Sequence, residues 1–312
     1  MDGITNEIAT EFQPAVVDKV ERLLDLLEEM GRHPALKGKL CMHGGTAINL
    51  FMLGIPRLSV DIDISYIGAE GREAMMEERP SIESAIMQIG NAQGYSVSPT
   101  KGDHAGRTFK LLYRGEWGPD NVKIDVIYLN RVPLLPVQPK SCPMRSGISV
   151  VMFNDLELIG GKVKAFYDRV KIRDLYDIAN IYAFLSEREE ASFAHKVILY
   201  HASISACFPN SFEKRAQTRF ADRQRDLEQQ LYPMLKGTDD IPTLEQLITR
   251  AELFIEDYVL PQDDTEQEFL DRFAVGSFKP ELLFGVGETA EKAARSPEAA
   301  WKLLNLKKML GR

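Results

Sequence analysis

Apolar residues recur every three or four positions from 14 to 30: Val16, Val17, Val20, Leu23, Leu24, Leu27 and Met30. That spacing predicts an amphipathic helix, with Gly31 as its stop. A short apolar stretch, 40–43, then runs into Gly44-Gly45-Thr46 and Ala47-Ile48-Asn49-Leu50-Phe51, which reads as strand, tight turn and helix. Gly54, Ile55 and Pro56 end that helix. From 59 to 66 the period changes to two. Val60, Ile62, Ile64 and Tyr66 share one face, while Ser59, Asp61, Asp63 and Ser65 share the other. This is the pattern of a strand with one buried and one polar face.

Residues 70–90 return to helical spacing, and 95–97, 107–113 and 122–129 are further strand candidates separated by Gly, Pro and Asp. Pro133, Pro136, Pro139 and Pro143 predict a long irregular connection over 131–147. After Asn154 the pattern is helical throughout, with turns near Pro209, Gly237 and Gly276. The expected organisation is an α/β unit over 1–150 followed by a helical unit over 151–312. There are no internal repeats and no low-complexity segments.

Composition narrows the function classes. At 312 residues the chain can bury a large core, and 44% hydrophobic and 27% charged residues are ordinary for a globular protein. No apolar run is long enough to span a bilayer, and no basic segment followed by an apolar stretch marks an export signal. Cys41, Cys142 and Cys207 are too scattered for a zinc cluster and too few for a disulfide scaffold. Reduced thiols and a cytoplasmic location are expected. None of the five histidines has ligand-like spacing. A net charge of −8 argues against a protein that coats nucleic acid. Local charge departs from that average: Lys162, Lys164, Arg169, Lys171 and Arg173 are opposed over the same stretch only by Asp168, a local positive field. Arg215, Arg219 and Arg223 form a stripe at helical spacing. It reads either as a nucleic-acid track or, with Glu213, Asp222 and Asp226 nearby, as a solvated helix face. Trp117 and Trp301 are expected to pack rather than to stack on bases.

The candidate chemistry lies in His43-Gly44-Gly45-Thr46 and in Arg57-Leu58-Ser59-Val60-Asp61-Ile62-Asp63. Glycines at a strand-to-helix turn let the backbone approach a ligand, and the helix start offers unpaired N–H groups to phosphate. Asp61 and Asp63, two apart on a strand, point the same way. Their mutual repulsion is relieved by a dication, and Mg²⁺ accepts a few carboxylates with waters and phosphate oxygens. Alone, Gly-Gly is a turn and Asp-x-Asp is a solvated strand face; together, at this separation, they suggest a phosphate and metal site. Asp125 is flanked by Ile124 and Val126 and so shares a face with Lys123. It completes a three-carboxylate site if its strand neighbours that of Asp61 and Asp63, and otherwise it is a surface charge paired with Lys123.

Gly44-Gly45-Thr46 followed by Arg57-x-Ser59-x-Asp61-x-Asp63 resembles the AbiEii/AbiGii-type toxins, a branch of the DNA polymerase β-like nucleotidyltransferases. Two later segments match as well. Glu157-Leu158-Ile159-Gly160-Gly161-Lys162 looks like the family's Glu-x4-Lys helix, and Arg173-Asp174-Leu175-Tyr176-Asp177-Ile178 like its Arg-Asp-x-x-Asp helix. The resemblance implies an α+β fold, a nucleotidyltransferase core with a mixed sheet followed by a helical C-terminal domain. It implies Mg²⁺-dependent transfer of a nucleotide from a nucleoside triphosphate to RNA, the tRNA 3′ end for some members, with a cognate antitoxin as partner and no membrane. On that reading Gly44, Gly45, Thr46 and Lys162 bind the triphosphate. Asp61, Asp63 and Asp125 hold the metal, and Asp125 also helps deprotonate the acceptor hydroxyl. Arg57 steers phosphate or anchors the turn. Asp177 supports the acceptor side in preference to Asp174, whose neighbour Arg173 offers it a local partner. Ser59 either hydrogen-bonds the triphosphate, in which case its modification would be an off switch, or is a small residue at a strand start. Gly160 and Gly161 mark close packing or bound phosphate and put a regular helix in question. The rival readings are a small-molecule nucleotidyltransferase acting on substrates such as aminoglycosides, and a non-catalytic nucleotide-binding partner protein.

Overall fold

A computed structural model describes residues 4–186, 191–237 and 241–311. The chain divides into two compact units. The first comprises Met1–Phe153 with Met234–Asp239, the second Asn154–Pro233 with Asp240–Arg312. Among the described residues no helix is long and apolar enough to cross a membrane.

The first unit is built on a seven-stranded mixed sheet. Its strands are β1 (Leu40–His43), β2 (Asp61–Tyr66), β3 (Ser96–Pro99), β4 (Gly106–Gly115), β5 (Gly118–Ile127), β6 (Gln138–Ser141) and β7 (Ser149–Met152), in the order β3-β4-β5-β2-β1-β7-β6. The β2–β5 and β1–β7 pairs are parallel, and the others are antiparallel. The period-two pattern of β2 is realised. Ile62 and Ile64 are buried, while Asp61 and Asp63 lie part-exposed on the other face. The regular strand starts at Asp61 rather than at Ser59. Helix α1 (Pro14–Arg32) buries Val17, Val20, Leu23, Leu24, Leu27 and Met30, the predicted stripe except for the half-buried Val16, and runs through Gly31 before it ends.

Two strands depart from expectation. Residues 131–147 were predicted to be irregular, yet β6 lies within them, and β7 follows directly. Pro139 is accommodated because β6 is the sheet's edge, where a residue without an N–H need not break a ladder on both sides.

The second unit is helical. Helix α2 (Asp155–Asp168) is capped by the Asn154 side chain, which accepts from the Leu156 N–H at 3.0 Å. It is followed by α3 (Ile172–Ser186) and α4 (Ala191–Ser203). Gly160 does not interrupt α2. A Cβ there would lie 2.3 Å from the His201 ring of α4, so the missing side chain is what lets the two helices approach. Gly161 faces open space.

Candidate active site

The glycine turn and the Asp-x-Asp strand are brought together by the β1–β2 pairing, which sets His43 opposite Asp63. Gly44 follows with φ +75°, and a Cβ on it would fall 2.1 Å from Asp63 Oδ2. Any side chain at position 44 would therefore collide with the carboxylate. Glycine serves both the left-handed backbone and the seat of Asp63. From Gly44 the chain enters a short helix, Gly44–Thr46, which continues in wider π-type turns over Ala47–Met52. Thr46 is fully buried. Its hydroxyl donates to the backbone carbonyl of Asp61 and shares a 3.0 Å hydrogen bond with the Ser59 hydroxyl. Those two side chains thus fasten the glycine turn to the start of β2.

Arg57 is 2% exposed and donates to the Leu58 carbonyl at 2.9 Å. Its backbone bridges to Leu235, and the Leu58 N–H bonds to Met234 at 2.8 Å. A buried guanidinium bonded to the Leu58 carbonyl is consistent with the anchoring reading of Arg57.

The third carboxylate falls where the pattern required. In the parallel β2–β5 pair, Asp63 lies opposite Asp125 and Asp61 opposite Lys123. Asp125 is part-exposed; it accepts from the Thr108 hydroxyl through one oxygen and pairs with Lys123 through the other. Convergence on Asp63 and pairing with Lys123, which the sequence posed as alternatives, therefore coexist. Burial weighs against the charge of Lys123, but the hydrogen bond it donates to Asp125 and the fields of Asp125, Asp61 and Asp63 more than offset it and hold its pKa above the usual lysine value. Among the described residues no three His, Cys, Asp or Glu side chains make a preassembled metal cage. Part-exposed oxygen donors on one sheet face nevertheless fit a hard dication that keeps waters and takes its remaining ligands from a substrate's phosphates.

In the second unit, Lys162 is 4% exposed, and its ammonium lies 2.8 Å from both Asp174 and Asp177. Asp174 also receives Arg169 at 2.8 Å. Burial alone would raise the Asp174 pKa, yet Lys162 and Arg169 outweigh it and hold the carboxyl far below the usual carboxylate range. The expected local pairing of Asp174 with its neighbour Arg173 is therefore replaced by these two partners, since adjacent helical side chains diverge. Lys164 pairs with Asp168 at 2.7 Å. The predicted local positive field is thus largely consumed by ion pairs. The Arg215–Arg219–Arg223 stripe is held by the protein's own groups, two of the three by backbone carbonyls. Arg215 binds the Ser211 carbonyl, Arg219 binds the carbonyls of Phe166 and Tyr167, and Arg223 binds Asp226. Trp117 and Trp301, expected to pack, are 58% and 43% exposed.

A mixed sheet that carries paired strand aspartates beside a glycine turn is the arrangement of a nucleotidyltransferase. Over residues 25–254 the chain matches the family described as nucleotidyl transferase AbiEii toxin of type IV toxin–antitoxin systems. The chain belongs to this family, and it is a toxin-type nucleotidyltransferase. Its fold is similar to that of MenT4, a nucleotidyltransferase toxin from Mycobacterium tuberculosis, with TM-score 0.53 and 15% identity over 97% of this chain and 99% of that one. JHP933 from Helicobacter pylori matches with TM-score 0.49 and 16% identity over 78% of this chain and 92% of that one. No curated protein sequence matches this chain at a significant level.

Proposed function

We propose that this toxin transfers a nucleotide from a nucleoside triphosphate to RNA, with the tRNA 3′ end as the acceptor and pyrophosphate as the leaving group. The observation that supports it best is the parallel register of Asp63 with Asp125, which puts three carboxylates on one face of two neighbouring strands. Asp61, Asp63 and Asp125 would hold Mg²⁺. Bound there, it would neutralise charge on the triphosphate and on the attacking oxygen. Asp125 would accept the proton of the acceptor hydroxyl. The Gly44 and Gly45 main chain would present N–H groups to the triphosphate, while Thr46 and Ser59 hold that main chain against β2. To the helical unit the reading assigns Lys162 as a triphosphate ligand and Asp177 as its orienting group, on the family motif alone.

RNA is preferred over a small molecule because a toxin's product must arrest the cell that makes it. Disabling an RNA needed for translation does so, and modifying a foreign drug does not. Such a substrate places the activity in the cytoplasm, under the control of a cognate antitoxin. The test is incubation with each labelled triphosphate, Mg²⁺ and total RNA, followed by sequencing of the labelled ends, with an aminoglycoside arm in parallel. Label on RNA 3′ ends supports the reading. Label on the drug alone, or on neither, overturns it.

A further inference from the structure

On the solvent-facing side of β2 and β5, Asp61 and Asp63 stand opposite Lys123 and Asp125. Four charged residues thus occupy the corners of a small rectangle, about 4.8 Å across the strands and about 7 Å along them. Three corners are acidic. Lys123 is paired with Asp125, and the fields of Asp61 and Asp63 also act on its ammonium. Its side chain is 37% exposed, whereas that of Asp125 is 23% exposed. Both Asp125 oxygens are engaged, one by Thr108 and one by Lys123. A metal ligated by the Lys123-bound oxygen would share it with the ammonium, placing two cations within repelling distance.

We infer that Lys123 is the built-in counter-ion of this carboxylate face, and that an incoming dication competes with it for Asp125. This rests on the metal reading above. When no dication is bound, the ammonium offsets part of the repulsion among the three carboxylates and holds Asp125 in place. When a dication binds, the two cations are mutually repelled at close range, and the flexible four-carbon stem lets the ammonium turn toward solvent or substrate phosphate. Lys123 is then a positioning residue with an opposing pair of effects: it stabilises the metal-free fold and weakens metal affinity.

The experiment uses the full chain without nucleotide, Mn²⁺ as the metal probe read by electron paramagnetic resonance, and thermal melting in EDTA and in Mg²⁺. Lys123→Met keeps the stem and removes the charge. It is expected to melt several degrees lower in EDTA, to bind Mn²⁺ several-fold tighter than wild type, and to gain more melting temperature from Mg²⁺. Lys123→Arg should stay near wild type. Lys123→Gln is read in the same way should the methionine variant not fold. Equal or weaker Mn²⁺ binding by the neutral variants, with the wild type binding normally, overturns the counter-ion role and leaves the metal reading standing. A wild type that binds no Mn²⁺, or an Asp61→Asn variant that binds it as well as wild type does, overturns both.

Discussion

The chain carries two clusters of opposite charges, one in each unit, and they are built on opposite principles. On the sheet, three part-exposed carboxylates face one half-exposed ammonium, Lys123, and the excess is negative. Among the helices, Asp174 and Asp177 surround the Lys162 ammonium at 2% exposure or less, with Arg169 closing the outer side. The first cluster is open to solvent, with three carboxylates to one ammonium among these four side chains, the exposure that the proposed metal reading needs. The second is dry and neutralises itself, because unpaired charges at that depth would cost several kcal/mol each. The same residue types, in similar number, are therefore left open to solvent in one place and sealed into ion pairs in the other. Solvent exposure and charge balance decide which.

Removing acids from the wet cluster should separate activity from stability most completely. Asp61→Ala or Asp63→Ala is expected to reduce nucleotide transfer to background, with a melting temperature equal to or above that of the wild type, since one repelling carboxylate is gone. Near-normal turnover in either variant would end the two-aspartate assignment.

In the dry cluster the order reverses. Lys162→Ala strands two buried carboxylates and should cost about 3–5 kcal/mol of stability, read as a shifted denaturation midpoint. Lys164→Ala breaks only an exposed pair and should cost no more than about 1 kcal/mol. Should the Lys162 variant fold, it should also use triphosphate poorly, with Lys164→Ala affected less. Similar losses for the two lysines would mean that the contrast between the clusters has been misjudged.

A second buried group in the helical unit carries a pH signature. His201 packs on Gly160, with both ring nitrogens buried and without a hydrogen-bond partner among the described residues. Burial first, and then the nearby Lys164 charge, push its pKa down to about 3. Because the folded value lies below the unfolded one, near 6.5, the unfolded chain takes up the proton first as pH falls. The stability held by the neutral ring is complete above about pH 6.5 and is lost on acidification toward pH 3, at no more than about 1.4 kcal/mol per pH unit. Unfolding of His201→Leu should be less steeply pH-dependent over that window. An unchanged profile would assign the acid sensitivity elsewhere.

The smallest effect is expected at Ser59. Its hydroxyl is shared with buried Thr46, so Ser59→Ala should lose about 1 kcal/mol and keep at least partial activity. Ser59→Asp puts a charge at a buried position beside a site for an anionic substrate and should be nearly inactive in the same transfer assay. Full activity of Ser59→Asp would remove any role for modification of this serine as a switch.

What the sequence alone determined about this protein is everything that local period and chemistry can encode. Alternation over 59–66 and around Asp125 placed each aspartate on the polar side of its strand, and the amphipathic spacing separated an α/β half from a helical half. The motif order from Gly44 to Asp177 pointed to the family. Tertiary structure decided what depends on partners distant in the chain. The parallel register set Asp63 opposite Asp125 and gave Lys123 three carboxylates instead of one. The β1–β2 pairing made Gly44 the seat of Asp63, and the sheet edge turned a proline-rich stretch into strand β6. Burial set Lys162, read from the sequence as a point charge for triphosphate, between Asp174 and Asp177, and put the Arg57 guanidinium against the Leu58 carbonyl. The physical reason is one of range. A side chain's facing follows from dihedral angles within a few residues, whereas its exposure and counter-charges follow from which strands and helices come to lie beside it.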